Sequence, residues 1–468
     1  MTRHPIVAAM PRALLACLAV ALVARGLAIA RTPIPDRDAA HYLWMAERFR
    51  DGDVTALFAT VFHPLYALLT GLVLRALPSA DPLLVGQCVS GLASAAATVP
   101  LWWIGRRLFG APAATFGALF FAIGVWFARH PADAMSEGPF HLFVATAVAL
   151  LVAPTPRACA AAGVVVGLAY GTRPEALSLF AVATLHLFVA RAPGRVVFAA
   201  VGAAALLVTP LCYAAFGPGF TWTPKASFNV DVGVGAADAG GVAHYLTHLV
   251  RVPGTVFEAV GFVAVPLAIV GALHLRSVVP RGARLAHPSI LLLAPFAIQC
   301  LVVPLLRNHV RFLSGYGLLV LPLAGLGLVV LRQRLPQLQS RATLAAFLVV
   351  ATAGDWIRLP RERRADRIVE RALGVHFRTL LAPGERIATE MPRLEYFAGL
   401  EPGPPRPISS DEILATADDP ATKFVVLVRA RTPAAADALP DRGYHEATLP
   451  PNLARLAAER GIVVFARE

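Results

Sequence analysis

Ionisable residues gather in a few short segments between long apolar runs, and residues 31–53 form the first such segment. Within it, Asp38 and Tyr42 are four positions apart, so a helix would place them on one face. Two prolines before Asp38 keep the preceding chain extended, which puts Asp38 near the start of that helix. A carboxylate there is either a helix cap or a group that accepts a proton in catalysis, and Asp36 lies two positions earlier.

Two further carboxylates, Asp133 and Glu137, lie four positions apart in the segment 129–140. On a single helix they would share one face. A carboxylate pair of this kind can bind a divalent cation or serve as acid and base. Solvated charge at the entry of a helix explains the same spacing, and the spacing alone leaves both interpretations open.

Cationic residues flank apolar runs at two other places. Arg173 and Glu175 lie between two apolar runs. Ionisable groups at such a place indicate a functional site. The alternative is that the arginine side chain extends to the lipid headgroups and has no role in function. Arg307, His309 and Arg311 form a compact turn. Arginine binds phosphate through paired hydrogen bonds, so this turn suits a phosphate group, although ordinary loop charge would look the same.

Motifs for metal and nucleotide binding are missing from the sequence. The loop 217–251 contains Lys225 and a pair of histidines, His244 and His248, but no HExxH frame surrounds the pair. The five cysteines form no CxxC pair. There is no Walker loop, Rossmann glycine fingerprint or GxSxG turn. The motifs therefore predict no metal site.

Long apolar runs must position these residues. The chain has 468 residues, of which 57% are hydrophobic and 15% charged, and its mean hydropathy is +0.63. Soluble domains carry about 25% charged residues, so this composition predicts a polytopic membrane protein, mainly α-helical. We predict about eleven transmembrane spans. They are residues 9–30, 81–104, 111–128, 134–153, 159–177, 178–192, 196–216, 254–275, 288–306, 312–331 and 342–357.

The arginines predict the orientation of the spans. The net charge is +13, yet no basic stripe with interleaved aromatic residues is present, which argues against nucleic-acid binding. Instead, arginines occupy alternate loops that hold no acidic residue, which is the positive-inside pattern with a cytoplasmic N-terminus. The acidic residues up to position 350 then lie at the outer face. Residues 62–78 are interpreted as lying along the outer interface rather than spanning.

The composition changes after the last predicted span. Residues 358–468 carry nearly equal numbers of acidic and basic residues, as soluble domains do. Three β-like runs occur at 385–390, 423–428 and 461–466, and a helix precedes the last. We therefore predict two domains: a transmembrane domain at 1–357 and a small extracytoplasmic α/β domain at 358–468.

The ordered set of motifs resembles the GT-C membrane glycosyltransferases, in particular the group of protein O-mannosyltransferases and lipid A aminoarabinose transferases. Asp38 and Tyr42 are followed by MAERFRDGD and then by FHPLYALLTGL, which begins at residue 62. The segments RRLFG (106–110), SEGPF (136–140), GLAYGTRPEA (167–176) and HVRFLSGYGLLVLPLAGLGL (309–328) also look like family segments. Two departures are Ala39 after Asp38, where the family often has Asp-Glu, and Leu65 where it has a second proline.

The resemblance implies transfer of a sugar, with inversion, from a polyprenyl-phosphate donor to a lipid, glycan or protein acceptor at the extracytoplasmic face of the inner or plasma membrane. It implies that Asp38 is the general base, although the choice between Asp38 and Asp36 stays open, and it makes Asp36 and Glu137 further catalytic carboxylates. No cofactor is certain, but a divalent cation held by these three carboxylates stays open. The implied substrate-binding residues are Tyr42, His63, Arg173, Glu175, Lys225, Arg307, His309 and Arg311.

Two other functions fit part of the pattern. A secondary transporter would bind its solute near the bilayer midplane between internal repeats, whereas here the polar residues collect at one face and no repeat is visible. A non-catalytic scaffold would tolerate alanine at Asp38 and Arg173. Fold resemblance by itself does not decide among these functions.

Overall fold

The computed structural model describes residues 11–222, 241–306, 310–404 and 408–467. It confirms a mainly helical chain with a small α/β region near the C-terminus. The helices are α1 Arg12–Ala30, α2 Arg37–Arg50, α3 Leu65–Ala76, α4 Pro82–Ala96, α5 Thr98–Phe109, α6 Ala111–Ile123, α7 Val125–Ala132, α8 Glu137–Leu151, α9 Pro156–Thr172, α10 Ala176–Val189, α11 Arg195–Phe216, α12 Gly241–Leu249, α13 Val252–Val260, α14 Ala264–Val278, α15 Ile290–Val302, α16 Val310–Arg334, α17 Arg341–Arg358, α18 Ile368–Leu380, α19 Pro392–Phe397, α20 Ser410–Ala417, α21 Pro433–Ala438 and α22 Pro451–Glu459. The strands are β1 Arg386–Thr389, β2 Thr422–Val428, β3 Tyr444–Glu446 and β4 Ile462–Arg467.

The described helices include several that could cross a membrane. Four are long and apolar enough: α1, α4 together with α5, α11 and α16. The number rises to six if each of two bent pairs is one span. Shorter apolar helices coincide with other predicted segments. Helix α3 lies in the predicted interfacial segment, and α8, α10, α15 and the first part of α17 lie in predicted spans.

Two predicted spans are wrong as continuous helices: residues 111–128 bend by 46° between α6 and α7, and the break in residues 254–275 is sharper. Residues 254–275 divide into α13 and α14, and the bend between the helical segment Tyr245–Val260 and α14 is 101°. Gly261 follows α13 with φ of +114°, in the region that favours glycine, so the chain leaves the helix there and turns sharply. Hydrophobicity alone gave no signal for this break.

Helix α16 lies at the centre of the helical region and packs closely against α6 and α14. A side chain at Gly325 would overlap the backbone oxygen of Ala113 in α6. A side chain at Gly327 would overlap the backbone oxygen of Leu267 in α14. These two glycines therefore let neighbouring backbones approach closely, as small residues do at helix interfaces in membranes.

Replacing Gly327 by alanine tests this packing. We expect Gly327→Ala to lower the free energy of unfolding by about 1–3 kcal/mol, because the new methyl group would press on backbone that cannot move away easily. The measurement is the midpoint of thermal unfolding of the purified protein in detergent. Gly26→Ala in α1 is the matched control, since nothing lies within 4 Å of its added Cβ atom, and its midpoint should not fall. Equal midpoints for the two variants would contradict the close approach.

The C-terminal region forms a four-stranded sheet in the order β1-β2-β4-β3. Strands β1 and β2 are parallel, whereas β4 is antiparallel to both of its neighbours. Consecutive residues of β2 point to opposite faces: Val426 packs with Leu373 of α18, and Val425 packs with Ile413 of α20. Helices thus cover both faces of the sheet.

The three predicted β-like runs are confirmed as β1, β2 and β4, and the helix predicted before the last strand is α22. Gly461, with φ of +61°, lies between that helix and β4, in the left-handed region where helices commonly end. No sequence pattern predicts β3, because it is three residues long and two of them, His445 and Glu446, are exposed. The division of the chain at residue 358 stays a prediction.

Candidate active site

The segment before α2 places two aspartates differently. Asp36 is the residue that caps α2, because its Oδ1 accepts a hydrogen bond from the backbone N–H of Asp38 at 3.2 Å. Asp38 lies in the first turn of the helix, so its side chain is not used as the cap. Tyr42 is buried one turn later and donates its hydroxyl to Ser136 Oγ at 3.2 Å. The predicted short helix is therefore present, with the cap at Asp36.

Arg311, near the start of α16, is the point at which three carboxylates meet. Its Nη2 lies 2.5 Å from Asp38 Oδ2 and its Nη1 lies 3.8 Å from Asp36 Oδ1. Its Nε lies 3.9 Å from Glu137 Oε1. Asp38 and Arg311 are 273 residues apart in sequence, and Glu137 lies between them in the chain, yet the groups form one cluster in which Arg311 is 12% exposed.

A second arginine, Arg173, lies deeper. It follows α9 and forms an ion pair with Glu137 and another, at 2.7 Å, with Glu175. The side chains of Arg173 and Glu137 are 5% and 1% exposed, and the guanidinium also lies near the rings of Phe140 and Phe312. Glu137 thus joins the two arginines, and Arg173 is fully engaged with protein carboxylates in this structure.

Asp133 and Glu137 do not lie on one helical face, which corrects the interpretation of their spacing. Helix α7 ends at Ala132 and α8 begins at Glu137, and Ala134 between them has φ of +57°. The two carboxylates consequently belong to different ion pairs. Glu137 contacts Arg173, whereas Asp133 faces the chain that follows α17.

Two arginines that sequence reasoning missed complete the cluster. Arg363 Nη1 lies 2.6 Å from Asp133 Oδ2, and Arg364 Nη1 lies 2.5 Å from Asp133 Oδ1. The second guanidinium nitrogen of Arg364 lies 2.5 Å from Asp36 Oδ2. Burial alone would raise the pKa of Asp36, but the Arg364 guanidinium reverses this effect and the pKa is lowered. Asp36 is therefore held as an ionised carboxylate.

Of the other predicted site residues, His63 and Glu175 belong to the described part of the chain and three do not. His63 is buried, and its ring lies edge-on to Tyr170 with the ring centres 5.1 Å apart. Glu175 is brought to the cluster through Arg173. Lys225, Arg307 and His309 lie outside the described residues.

The carboxylates of the described residues do not form a metal-binding group. No set of three or more His, Cys, Asp or Glu side chains in the described part of the chain is placed to hold a metal ion. Asp36, Asp38 and Glu137 each face a guanidinium group rather than one another. These residues therefore do not fit the divalent cation that the family resemblance left open.

Two spaces are lined in part by residues of α2 and α9, the helices that carry Asp38 and precede Arg173. A cavity of about 590 Å³ lies between α2 and the edge strand β1, with His41, Thr60 and Glu395 among its lining residues. Burial raises the pKa of Glu395 to about 8. A narrower groove of about 250 Å³ is lined almost entirely by apolar groups of α3, α9 and α11, including Leu65, Gly171 and Val208.

Comparisons with known proteins identify the fold. No protein-family model and no curated protein sequence matches the chain. Among solved structures, ArnT from Cupriavidus metallidurans bound to undecaprenyl phosphate matches with a TM-score of 0.63 and 15% identity, over 97% of this chain and 97% of ArnT.

The oligosaccharyltransferase AglB from Archaeoglobus fulgidus, in a crystal with Zn and sulfate, matches with a TM-score of 0.59 and 13% identity, over 89% of this chain and 67% of AglB. The same enzyme with an inhibitory peptide and a dolichol-phosphate gives a TM-score of 0.56 at 13% identity, over 88% of this chain and 69% of AglB. Because ArnT and AglB are both GT-C membrane glycosyltransferases, these similarities confirm that this chain has the GT-C fold.

Proposed function

We propose that the protein transfers a sugar from a polyprenyl-phosphate donor to an acceptor at the extracytoplasmic face of the inner or plasma membrane. The observation that carries the proposal is the convergence of Asp38, Asp36 and Glu137 on Arg311. A carboxylate next to a guanidinium supplies both a proton acceptor and a binding group for phosphate. The orientation, with a cytoplasmic N-terminus and the C-terminal α/β region outside, is supported by the arginines of alternate loops.

The apolar groove supports a lipid-linked donor. Its lining includes Pro64, which directly follows His63 in sequence. It also includes Gly171, which lies two residues before Arg173. A polyprenyl chain lying there would bring its phosphate toward the polar cluster. Solved structures of ArnT and AglB contain undecaprenyl phosphate and dolichol-phosphate respectively, which are lipids of this chemical class. The larger cavity between α2 and β1 would admit the acceptor, which we propose is a lipid, a glycan or a protein.

In the proposed reaction, Asp38 is the general base. The acceptor hydroxyl oxygen forms a bond to the anomeric carbon while the bond from that carbon to the phosphate oxygen breaks. The electron pair of the broken bond stays on the phosphate oxygen, so polyprenyl phosphate leaves, and the hydroxyl proton moves to the Asp38 carboxylate. Attack from the side opposite the phosphate inverts the anomeric configuration.

Arg311 would link binding of the donor to release of the base. Its ion pair with Asp38, at 2.5 Å, occupies the carboxylate before the donor binds. A donor phosphate competes for the same guanidinium through charge-assisted hydrogen bonds. As Arg311 turns to the phosphate, the Asp38 carboxylate is freed to accept the acceptor proton only when the donor is present. The same guanidinium then stabilises the charge that develops on the leaving phosphate.

A transfer assay tests the proposal. Purified protein in detergent or vesicles is incubated with labelled polyprenyl-phosphate sugars and with a membrane extract as the source of acceptors. We expect label to move from the lipid to a second product, and the stereochemistry of that product should be inverted relative to the donor. Cross-membrane flux of a solute without any transfer would instead support a transporter. Absence of both activities, with the protein folded, would favour the scaffold.

A further inference from the structure

Arg364 comes from the chain after the last membrane helix, yet it binds two carboxylates of the helical region. One of its nitrogens lies 2.5 Å from Asp36 Oδ2 and another lies 2.5 Å from Asp133 Oδ1. Asp36 precedes α2 and Asp133 follows α7, so a single guanidinium joins two segments that no helix connects directly. The Arg364 side chain is 17% exposed and that of Asp133 is 3% exposed.

The backbone at Arg364 has a conformation that residues other than glycine rarely adopt. Its φ is +57°, in the left-handed region that glycine adopts without strain and that other residues rarely occupy. Neighbouring contacts hold the segment in place. The backbone N–H of Arg363 donates to Arg31 O at 2.9 Å, and Arg371 donates to Pro33 O at 3.2 Å.

The two oxygens of Asp36 have separate partners. Oδ1 accepts the backbone N–H of Asp38 and lies 3.8 Å from Arg311, whereas Oδ2 is bound by Arg364. Arg364 therefore keeps the Asp36 carboxylate from rotating toward Arg311. Arg311 stays committed to Asp38, and the cap keeps the first turn of α2 fixed.

We infer that Arg364 is a positioning residue of the active site, supplied by the C-terminal region, which orients Asp36 and through it Asp38 and Arg311. The inference rests on the proposed function for its catalytic consequence. A chain without this region would leave Asp36 and Asp133 without the guanidinium that joins them. The C-terminal region would then be needed for transfer even though its sheet holds none of the proposed reacting groups.

Arg364→Gly separates positioning from folding, because glycine removes the side chain while it suits the left-handed backbone. We expect the kcat of sugar transfer to fall roughly tenfold to a hundredfold, since small misplacements of reacting groups have effects of this size. The KM for the donor should change little. Arg364→Lys should recover part of kcat, because it restores the charge but not the two-pronged geometry.

Two comparisons control for unspecific effects. Arg191→Gly is the matched control, because Arg191 also has a left-handed backbone, with φ of +50°, and is an exposed residue in the turn between α10 and α11. It should transfer at the wild-type rate. Asp36→Asn should lower kcat to a similar extent, and adding Arg364→Gly to it should cause no further loss if Arg364 acts through Asp36. Additive losses would overturn that route.

Amide hydrogen exchange gives a readout that does not depend on transfer. In Arg364→Gly, peptides covering residues 36–42 should exchange faster than in the wild type and in Arg191→Gly, because the cap on the Asp38 amide is loosened. Unchanged exchange and unchanged kcat would overturn the inference. If the wild-type protein transfers no sugar, the proposed function fails, and the exchange data alone then decide whether Arg364 holds Asp36.

Discussion

Asp38→Asn is expected to lower the rate of sugar transfer by roughly two to four orders of magnitude, the usual contribution of a general base. Asparagine has nearly the same shape and keeps an oxygen for Arg311, which lies 2.5 Å from Asp38 in the wild type. It cannot accept the proton of the acceptor hydroxyl. The measurement is the initial rate of transfer from a labelled polyprenyl-phosphate sugar. Thermal unfolding midpoints of the wild type and of Asp38→Asn show that both proteins are folded.

Asp53→Asn is the matched control for this experiment. Asp53 belongs to the same segment between apolar runs, but its partner Arg48 is exposed. Its substitution should leave the rate within about twofold, as for most surface changes. Asp36→Asn is the informative comparison, because it retains the base but disturbs its position. Near-normal transfer by Asp38→Asn would remove Asp38 from the base role, and a far greater loss in Asp36→Asn would give that role to Asp36.

Much of the fold could be predicted because apolar run length and residue charge act locally. A run of about 20 apolar residues has few alternatives to a helix, and short runs of β-branched residues in a polar region favour strands. Breaks in helices were harder to predict. The turn at Gly261 and the separation of α7 from α8 depend on a few backbone angles, which hydrophobicity does not record.

The members of the site could be predicted better than their partners. The sequence marks four ionisable residues near the ends of apolar runs as site candidates, and the structure brings all four into one cluster. They are Asp38, Glu137, Arg173 and Arg311. Which carboxylate pairs with which arginine depends on side-chain distances of a few ångströms between segments far apart in sequence. The separation of Asp133 from Glu137 is an example.

Arg363 and Arg364 show why part of the site escaped sequence reasoning. They lie in a run of arginines in a region whose overall charge is nearly balanced, so they resemble the charged surface of any soluble domain. The one available signal was their position directly after the last apolar run.

Arg173→Met is expected to lower the free energy of unfolding by about 3–5 kcal/mol, the range found when one partner of a buried ion pair is removed. Methionine fills much of the space of the arginine stem, so the loss comes mainly from charge. Glu137, whose side chain is 1% exposed, and Glu175, at 11%, would then share a buried site without their common cation. The measurement is equilibrium unfolding in micelles by titration with a denaturing detergent.

The exposed pair between Arg48 and Asp53 is the matched control, because its 2.8 Å separation is close to the 2.7 Å between Arg173 and Glu175, while its side chains are 53% and 30% exposed. Arg48→Met should cost less than about 1 kcal/mol, since water screens such pairs. A triple variant with Arg173→Met, Glu137→Gln and Glu175→Gln should recover much of the lost stability, because no buried charge is then left unpaired. If instead Arg173→Met were as mild as Arg48→Met, the carboxylates would have to be hydrated or protonated, and Glu137 could not be the ionised link between Arg173 and Arg311.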